Sequence, residues 1–144
     1  MKISLGCDEA AYQLKETIKQ HLQKAGHEVI DNGVGEGEVE LYPDVAVRTC
    51  KKVTDGTCDR GILVCGTGIG MAMTANKVPG IRAAVCHDPF STERSVLSND
   101  ANVMCMGARV IAPQLALYLL DIWMRLTFKN GPSTPCLLYT SDAA

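Results

Sequence analysis

The 144-residue chain has no surplus of either charge, because 14 Lys and Arg stand against 16 Asp and Glu for a net charge of −2. Without a basic excess it has little with which to hold nucleic acid. No apolar run approaches the roughly 18 residues that a membrane span needs. Charged residues and glycine occur within the first nine positions, which argues against a signal peptide. We expect a cytoplasmic protein that binds neither nucleic acid nor membrane.

The cysteines lack the spacing of a metal site or a disulfide framework. There are seven of them, an odd number, with no CxxC pair, and none of the three histidines forms an HExxH motif. This pattern indicates reduced thiols, and it predicts a protein without a structural metal. A thiol redox function is also disfavoured, because no second cysteine stands at CxxC spacing.

Short apolar runs alternate five times with amphipathic segments along the chain. The composition, 47% hydrophobic and 21% charged, excludes a mostly disordered chain, and the length suits one domain. The alternation predicts an α/β fold, an open five-stranded parallel sheet with helices on both faces. Strands are expected at 3–7, 27–30, 61–65, 81–86 and 102–106. Helices are expected at about 10–25, 43–56, 89–97 and 113–127, and a further helix should follow the glycine-rich segment 66–70 and run through 77. The domain would span 1–128, followed by a tail (129–144) of flexible or non-native sequence.

Ligands of open parallel sheets collect at the carboxyl ends of the strands. Three segments carry polar groups for such a site: Asp8 after the first strand, CGTGIG (65–70) after the third, and SND (98–100) just before the fifth. The glycine-rich segment is the sharpest, because successive backbone N–H groups in such a turn can converge on an anion. It fits neither GxGxxG nor the Walker motif. A tight strand-to-helix turn without a ligand is an equal alternative.

Cys65 ends the apolar GILVC run and opens the glycine-rich turn. Backbone N–H groups and the positive end of a helix favour a thiolate, which can serve as a nucleophile or as a base. No histidine lies nearby in sequence to complete a Cys–His pair. Core packing is the alternative, and for an isolated cysteine at a strand end it is the more common one.

Several ordered segments resemble the family of type-B ribose-5-phosphate isomerases and galactose-6-phosphate isomerase subunits. They are GCDEAAYQLK, YPD, DRGILVCGTGIGMAMTANKVPGIRAAVC and SNDANVMCMGARVI, and the similarity covers nearly all of 1–128. The resemblance implies a three-layer Rossmann-like fold, aldose–ketose isomerisation of a phosphorylated sugar, and neither cofactor nor metal. It also implies a homodimer, able to pair into a tetramer, whose active sites are built from both subunits.

The resemblance assigns roles to single residues. Cys65 is similar to the general base that moves a proton between C1 and C2, a reaction that needs a base and an oxyanion stabiliser. The remaining assignments are backbone amides for the enediolate oxygen (Gly66, Gly68, Ile69, Gly70), a hydroxyl beside them (Thr67), contacts to the sugar (Asp8, Asn99, Tyr42) and a phosphate-binding arginine (Arg109). Alternatives stay open for three of these: Asp8 as a helix cap, Tyr42 as part of a simple turn, and Arg109 as a surface charge.

The sequence departs from the family pattern at the substrate pocket. Glu9 stands where a phosphate-assisting histidine is usual, Ser98 replaces the histidine that opens the furanose ring, and the tail has Pro132 and Cys136 near the place of the phosphate-gripping arginines. Glu9 would repel a phosphate there. An aldotetrose 4-phosphate cannot close a five-membered ring, since its O4 is esterified, so its enzyme needs no ring-opening acid.

These departures lead to a substrate hypothesis and an alternative. Erythrulose 4-phosphate and erythrose 4-phosphate stand beside the ribose 5-phosphate type as candidate substrates. The alternative is a non-catalytic sugar-phosphate-binding protein on the same scaffold.

Overall fold

Five parallel strands form the centre of the computed structural model, which describes residues 1–132 and Pro135. The strands are β1 (Lys2–Cys7), β2 (Glu28–Asp31), β3 (Arg60–Cys65), β4 (Ala83–Val85) and β5 (Val103–Gly107), in the order β2-β1-β3-β5-β4. The helices are α1 (Tyr12–Lys24), α2 (Tyr42–Thr54), α3 (Ile69–Ala75), α4 (Pro89–Leu97) and α5 (Pro113–Arg125), with a 3₁₀ turn at Glu9–Ala11. The predicted α/β fold is confirmed.

The strand order places the carboxyl ends of β1, β3 and β5 side by side. Cys7 pairs with Val64 across β1 and β3, and Cys65 pairs with Gly107 across β3 and β5. Residues 8, 65 and 107 therefore meet at one edge of the sheet although they are distant in sequence. This edge is where an open parallel sheet binds ligands.

Alternating side chains of β3 divide the core into two layers. Ile62 and Val64 pack with α1 and α5, whereas Leu63 and Cys65 pack with α2 and α3. Successive side chains of a strand point to opposite faces, so a continuous apolar run such as GILVC must be covered on both. The Cys65 side chain consequently faces the layer formed by α2 and α3.

Several elements are shorter than the sequence predicts, and in β4 and α3 the reason is visible. β4 covers 83–85 rather than 81–86, because the Arg82 N–H donates to the Asn102 side chain (2.8 Å) instead of to a strand. α3 ends at Ala75 rather than 77, where the Asn76 side chain turns to pair with both backbone groups of Ala83. Side-chain amides thus replace backbone partners at both boundaries.

The predicted tail of 129–144 lies largely outside the described residues. Within them, the Lys129 N–H donates to the Leu97 carbonyl at 3.3 Å. Among the helices of the described part, none combines the length and the apolar character required to cross a bilayer.

Arg60, at the start of β3, ties the sheet to the end of α5. Its guanidinium donates to the carbonyls of Trp123 and Leu126, both at 2.7 Å, and lies 4.7 Å from the centre of the Trp123 ring. Carbonyls at the end of a helix lack the regular helical partner. The Trp123 carbonyl accepts a long bond from the Leu126 N–H, at 3.4 Å. The planar guanidinium binds this carbonyl and that of Leu126, just beyond the helix, at once.

We expect Arg60→Lys to lower the free energy of unfolding by about 1–3 kcal/mol, because one ammonium group cannot replace both hydrogen bonds and the ring contact. Urea unfolding followed by circular dichroism at fixed protein concentration measures the change. Arg125→Lys on the exposed side of α5 is the control. Equal unfolding midpoints for the two variants would contradict the assigned role of Arg60.

Candidate active site at the carboxyl edge of the sheet

The segment from Gly66 to Gly70, hereafter the glycine turn, reverses the chain between β3 and α3. Gly68 has φ +79, a left-handed conformation that glycine adopts without strain. Its Cα also lies so close to β5 that an added Cβ would sit 3.0 Å from the Met106 carbonyl carbon. Both observations show why glycine is required at this position.

The Cys65 sulfur lies under the glycine turn and receives a hydrogen bond from it. The Gly68 N–H donates to Sγ at 3.1 Å, and the Ile69 N–H donates to the Thr67 hydroxyl at 3.3 Å. Cys65 is 6% exposed, while Thr67 and Ile69 are exposed. The sulfur therefore sits at the base of a polar turn and is shielded from bulk water.

The end of β5 is joined to the glycine turn by backbone contacts. The Ala108 N–H donates to the Cys65 carbonyl at 2.8 Å, and the Arg109 N–H donates to the Gly66 carbonyl at 3.0 Å. A Cβ on Gly107 would lie 2.7 Å from the carbonyl carbon and the Cα of Thr67. β5 and the glycine turn accordingly form one closely packed unit.

Arg109 and Asp8 flank the turn with opposite charges. The Arg109 side chain is exposed and lies against Gly66, whose added Cβ would be 3.6 Å from Cδ of the arginine. Its guanidinium makes no ion pair with the residues the structure describes. An unpaired guanidinium at the edge of a site suits an anionic ligand.

Asp8 follows β1 and stands at the start of the 3₁₀ turn without capping it through its side chain. Its buried Oδ1 has no hydrogen-bond partner among the described residues. Burial raises the pKa of the carboxyl and the negative charge of Glu9 raises it further, whereas the backbone N–H groups of Ala10 and Ala11 and the positive charge of Arg109 act in the opposite direction. Among the described residues, Oδ1 is therefore an acceptor without a partner, on a carboxyl that senses the charge of Arg109.

Tyr42, the first residue of α2, lies on the far side of the glycine turn. A Cβ on Gly70 would sit 2.8 Å from Cε2 and 2.9 Å from Cζ of the tyrosine ring. Tyr42 as a residue is 42% exposed, so this side of the turn is open to solvent. Arg48 fixes the preceding loop through hydrogen bonds to Glu40 and to the Asn32 carbonyl, all between 2.7 and 2.9 Å.

Glu9 is separated from the glycine turn by its orientation. It lines a shallow cavity of about 280 Å³ with Tyr12 and the loop at 35–39. The structure thus brings Asp8, Tyr42, Cys65, Arg109 and the glycine turn together. Glu9 lines a separate cavity, and it influences this group through the effect of its charge on the pKa of Asp8.

Ser98 and Asn99 lie at the opposite edge of the sheet within one chain. They follow α4, which runs antiparallel to the strands and ends near the amino ends of β4 and β5. Asp100, next to them, accepts two hydrogen bonds from Arg82 at 2.7 and 2.8 Å, and Arg82 immediately precedes β4. The sequence predicts these residues in the site because they adjoin β5. They precede that strand, however, whereas the other predicted site residues lie at the carboxyl end of theirs or beyond it.

His87 is a neighbour of the site that sequence reasoning missed. It follows β4, and its Nε2 accepts the Gly107 N–H at 2.9 Å. The order of the strands, with β5 between β3 and β4, brings it there. The sequence feature that points to His87 is its position directly after a predicted strand, where ligand-binding residues of a parallel sheet are found.

Comparisons with known proteins agree on one family. A family model described as Ribose/Galactose Isomerase matches residues 3–136. The chain is 52% identical to Ribose-5-P isomerase B of Listeria innocua, covering 92% of this chain and 90% of that protein. It is 48% identical to D-erythrulose-4-phosphate isomerase of Pectobacterium atrosepticum, covering 94% and 90%. The solved structure of Clostridium thermocellum Ribose-5-Phosphate Isomerase B superposes with a TM-score of 0.95 at 42% identity, covering 99% and 97%.

Within the described residues, no group of histidine, cysteine, aspartate and glutamate side chains is arranged to hold a metal ion. The polar groups at this edge include the backbone N–H groups of the turn, one thiol (Cys65), two hydroxyls (Thr67 and Tyr42), one carboxyl (Asp8), one guanidinium (Arg109) and one imidazole (His87). Such a set can take up a proton, stabilise an oxyanion and bind a second anion.

We expect Gly107→Ala to lower the free energy of unfolding by about 1–3 kcal/mol, because its methyl group would press on the Thr67 backbone, which cannot rotate away. Thermal and urea unfolding measure this loss. Gly66→Ala is the matched control, since its methyl would make ordinary contact with the Arg109 side chain at 3.6 Å. If both variants were equally stable, the close packing of β5 on the glycine turn would be refuted.

Proposed function

Because the chain belongs to the ribose/galactose isomerase family, we propose that it interconverts the aldose and ketose forms of a small sugar phosphate with Cys65 as the base. The observation that carries the proposal is the Cys65 sulfur held under the glycine turn, with Asp8 and Arg109 beside it. Relatives of this chain that isomerise sugar phosphates support it, among them enzymes named for ribose 5-phosphate and for erythrulose 4-phosphate.

The reaction moves one proton between adjacent carbons. The Cys65 thiolate takes the proton from the carbon next to the carbonyl, the C–H electron pair forms the C1–C2 double bond, and the carbonyl electrons move to oxygen to give an enediolate. The thiol returns the proton to the neighbouring carbon while the hydroxyl proton passes between O2 and O1, so that the carbonyl re-forms on the adjacent carbon. The hydrogen bond from the Gly68 N–H (3.1 Å) strengthens when the sulfur carries negative charge. Shielding of the sulfur from bulk water favours return of the proton to carbon.

The enediolate oxygen needs donors that are in place before the reaction. Among the backbone N–H groups of the glycine turn, that of Gly68 donates to the Cys65 sulfur and that of Ile69 to the Thr67 hydroxyl. We therefore assign the N–H groups of Gly66 and Gly70 to the enediolate oxygen, and the close packing on β5 keeps the turn in position. The Thr67 hydroxyl accepts the Ile69 N–H, so its own proton is free to donate to a substrate oxygen.

Three side chains around the turn would bind the rest of the substrate. Arg109 offers an unpaired guanidinium to the phosphate. The buried, unpartnered Oδ1 of Asp8 accepts a sugar hydroxyl, which would relieve the cost of its burial. Tyr42, which is exposed, completes the wall opposite Arg109.

A tetrose phosphate fits the substitutions at the pocket better than a pentose phosphate. Ser98 offers no acid to open a furanose ring, and a tetrose 4-phosphate has no such ring to open. Glu9 adds negative charge near Asp8 and contributes, after burial, to the raised pKa of that carboxyl. It therefore disfavours phosphate on that side and leaves the Arg109 side for it.

Two copies of the chain would be needed for a complete site. Ser98 and Asn99 lie far from Cys65 within one chain, and Asn99 is exposed on the surface. We propose a homodimer in which these residues reach the Cys65 site of the other copy, which is the arrangement that the family resemblance implies. Such an arrangement is isologous, so each dimer would carry two equivalent sites.

Cys65→Ala is expected to lower kcat for sugar-phosphate isomerisation by about 10²- to 10⁴-fold, the usual contribution of a general base, while substrate binding persists. Coupled assays give kcat, and isothermal titration calorimetry with the sugar phosphate gives binding. Cys58→Ala, a buried thiol just before β3, is the control and should keep full activity. Unchanged turnover in Cys65→Ala would exclude the cysteine base, and binding without turnover in the wild type would establish the non-catalytic alternative.

On a panel of tetrose, pentose and hexose phosphates, we expect the highest kcat/KM with erythrulose 4-phosphate and erythrose 4-phosphate. Ser98→His should raise activity on ribose 5-phosphate, because it supplies an imidazole that can open the furanose ring. Discontinuous assays with chromatographic separation of aldose and ketose measure both. Faster turnover of ribose 5-phosphate by the wild type would refute the tetrose hypothesis.

Mixed dimers test the shared site. Cys65→Ala and Asn99→Ala should each be nearly inactive alone. After coexpression, hybrid dimers make up half of the population and carry one intact site each, so activity should recover to about one quarter of wild type. No recovery, with hybrids demonstrated by mass spectrometry, would show that both residues serve a site within one chain.

A further inference from the structure

His87 occupies the place where the ladder between β4 and β5 would continue. The Cys86 N–H donates to the Cys105 carbonyl at 2.9 Å, as in a regular parallel pair. The next N–H of β5 that points toward β4 belongs to Gly107, and it donates to His87 Nε2 at 2.9 Å. The chain has by then left the sheet toward α4, whose first turn is capped by Asp88. An imidazole therefore stands in for a backbone carbonyl at the carboxyl edge.

The hydrogen bond assigns the protonation state of the ring. Since Nε2 accepts, it carries the lone pair, and the proton of the neutral imidazole is on Nδ1. Burial lowers the pKa of His87, whereas the negative charge of Asp88 acts in the opposite direction. The ring thus remains an acceptor at neutral pH.

Gly107 connects this imidazole to the glycine turn. Its Cα packs on the Thr67 peptide at a distance that leaves no room for a side chain, and it pairs with Cys65 in the register of β3 and β5. Gly107 is itself buried. If its N–H lost its acceptor, it would stay unsatisfied or move toward another partner, and a movement would be passed to Thr67.

We propose that His87 is a positioning residue for the isomerase site, acting through Gly107 on the glycine turn. It touches neither the Cys65 sulfur nor the turn directly; it fixes the strand end against which the turn is packed. The inference rests on the function proposed above. His87 lies outside the proton-transfer path, and its role is to keep the backbone N–H donors of the glycine turn in position.

The test compares two substitutions of similar size at this position. His87→Leu removes the acceptor, and we expect kcat to fall by about 10- to 100-fold with KM within about threefold, since misplaced donors cost transition-state stabilisation more than substrate binding. His87→Gln keeps an acceptor oxygen near the place of Nε2, and its kcat should stay within about threefold of wild type. His21→Leu on α1, whose ring bonds to Asp121 at the surface, is the control.

A second measurement follows the hydrogen bond itself. Hydrogen exchange of the Gly107 amide, observed by NMR on the full chain, should quicken in His87→Leu and stay close to wild type in His87→Gln. If His87→Leu does not fold, His87→Asn replaces it, because its shorter amide cannot reach Gly107 and should reproduce the loss of kcat.

Equal kcat in wild type and the acceptor-free variant would overturn the proposal, and so would equal impairment of the Gln and Leu variants. These outcomes are distinct from failure of the proposed function, in which the wild type itself would turn over no sugar phosphate. If the wild type is inactive, the contact between His87 and Gly107 is still tested by hydrogen exchange. A Gly107 amide that exchanges no faster in His87→Leu than in wild type would overturn that contact.

Discussion

The functional edge of this protein depends on the contact between the Gly107 backbone and the Thr67 peptide. No side chain could stand between them, because an added Cβ would lie 2.7 Å from Thr67 atoms. The approach allows the two hydrogen bonds that join residues 108 and 109 to the carbonyls of 65 and 66. This packing also places the Arg109 side chain against Gly66. Distances among the donors, the thiol and the guanidinium are therefore set by backbone packing, which is stiffer than any side-chain arrangement.

Charge at this edge is local, since the chain as a whole is nearly neutral. In the proposed site, the exposed Arg109 guanidinium, the half-buried Asp8 carboxyl with its raised pKa, the neighbouring charge of Glu9 and the N–H groups of the glycine turn would provide the field around a substrate. A nearly neutral molecule gives little long-range attraction to an anion. Recognition must then come from contacts made inside the site, where shielding from water makes each hydrogen bond stronger.

In the proposed mechanism, proton transfer and the choice of sugar use different residues. Proton transfer uses the Cys65 sulfur and the glycine turn, which follow the central strand β3. We attribute the choice of sugar to Glu9, in the 3₁₀ turn, and to Ser98, at the end of α4, which a second copy of the chain would supply. Substitutions at these two positions leave the packing of β3 against β5 untouched, so specificity could change while the chemistry is kept.

The five βα units and the glycine turn can be predicted from local sequence patterns, because periodicity and glycine placement act over a few residues. Cys65, Asp8, Tyr42 and Arg109 can be assigned to one site in part through the family resemblance, and the structure places them near one another. The position of β5 between β3 and β4, the location of Ser98 and Asn99 at the other edge, and the bond between His87 and Gly107 follow from the tertiary structure alone. Strand order results from packing between residues tens of positions apart, and no local pattern specifies it.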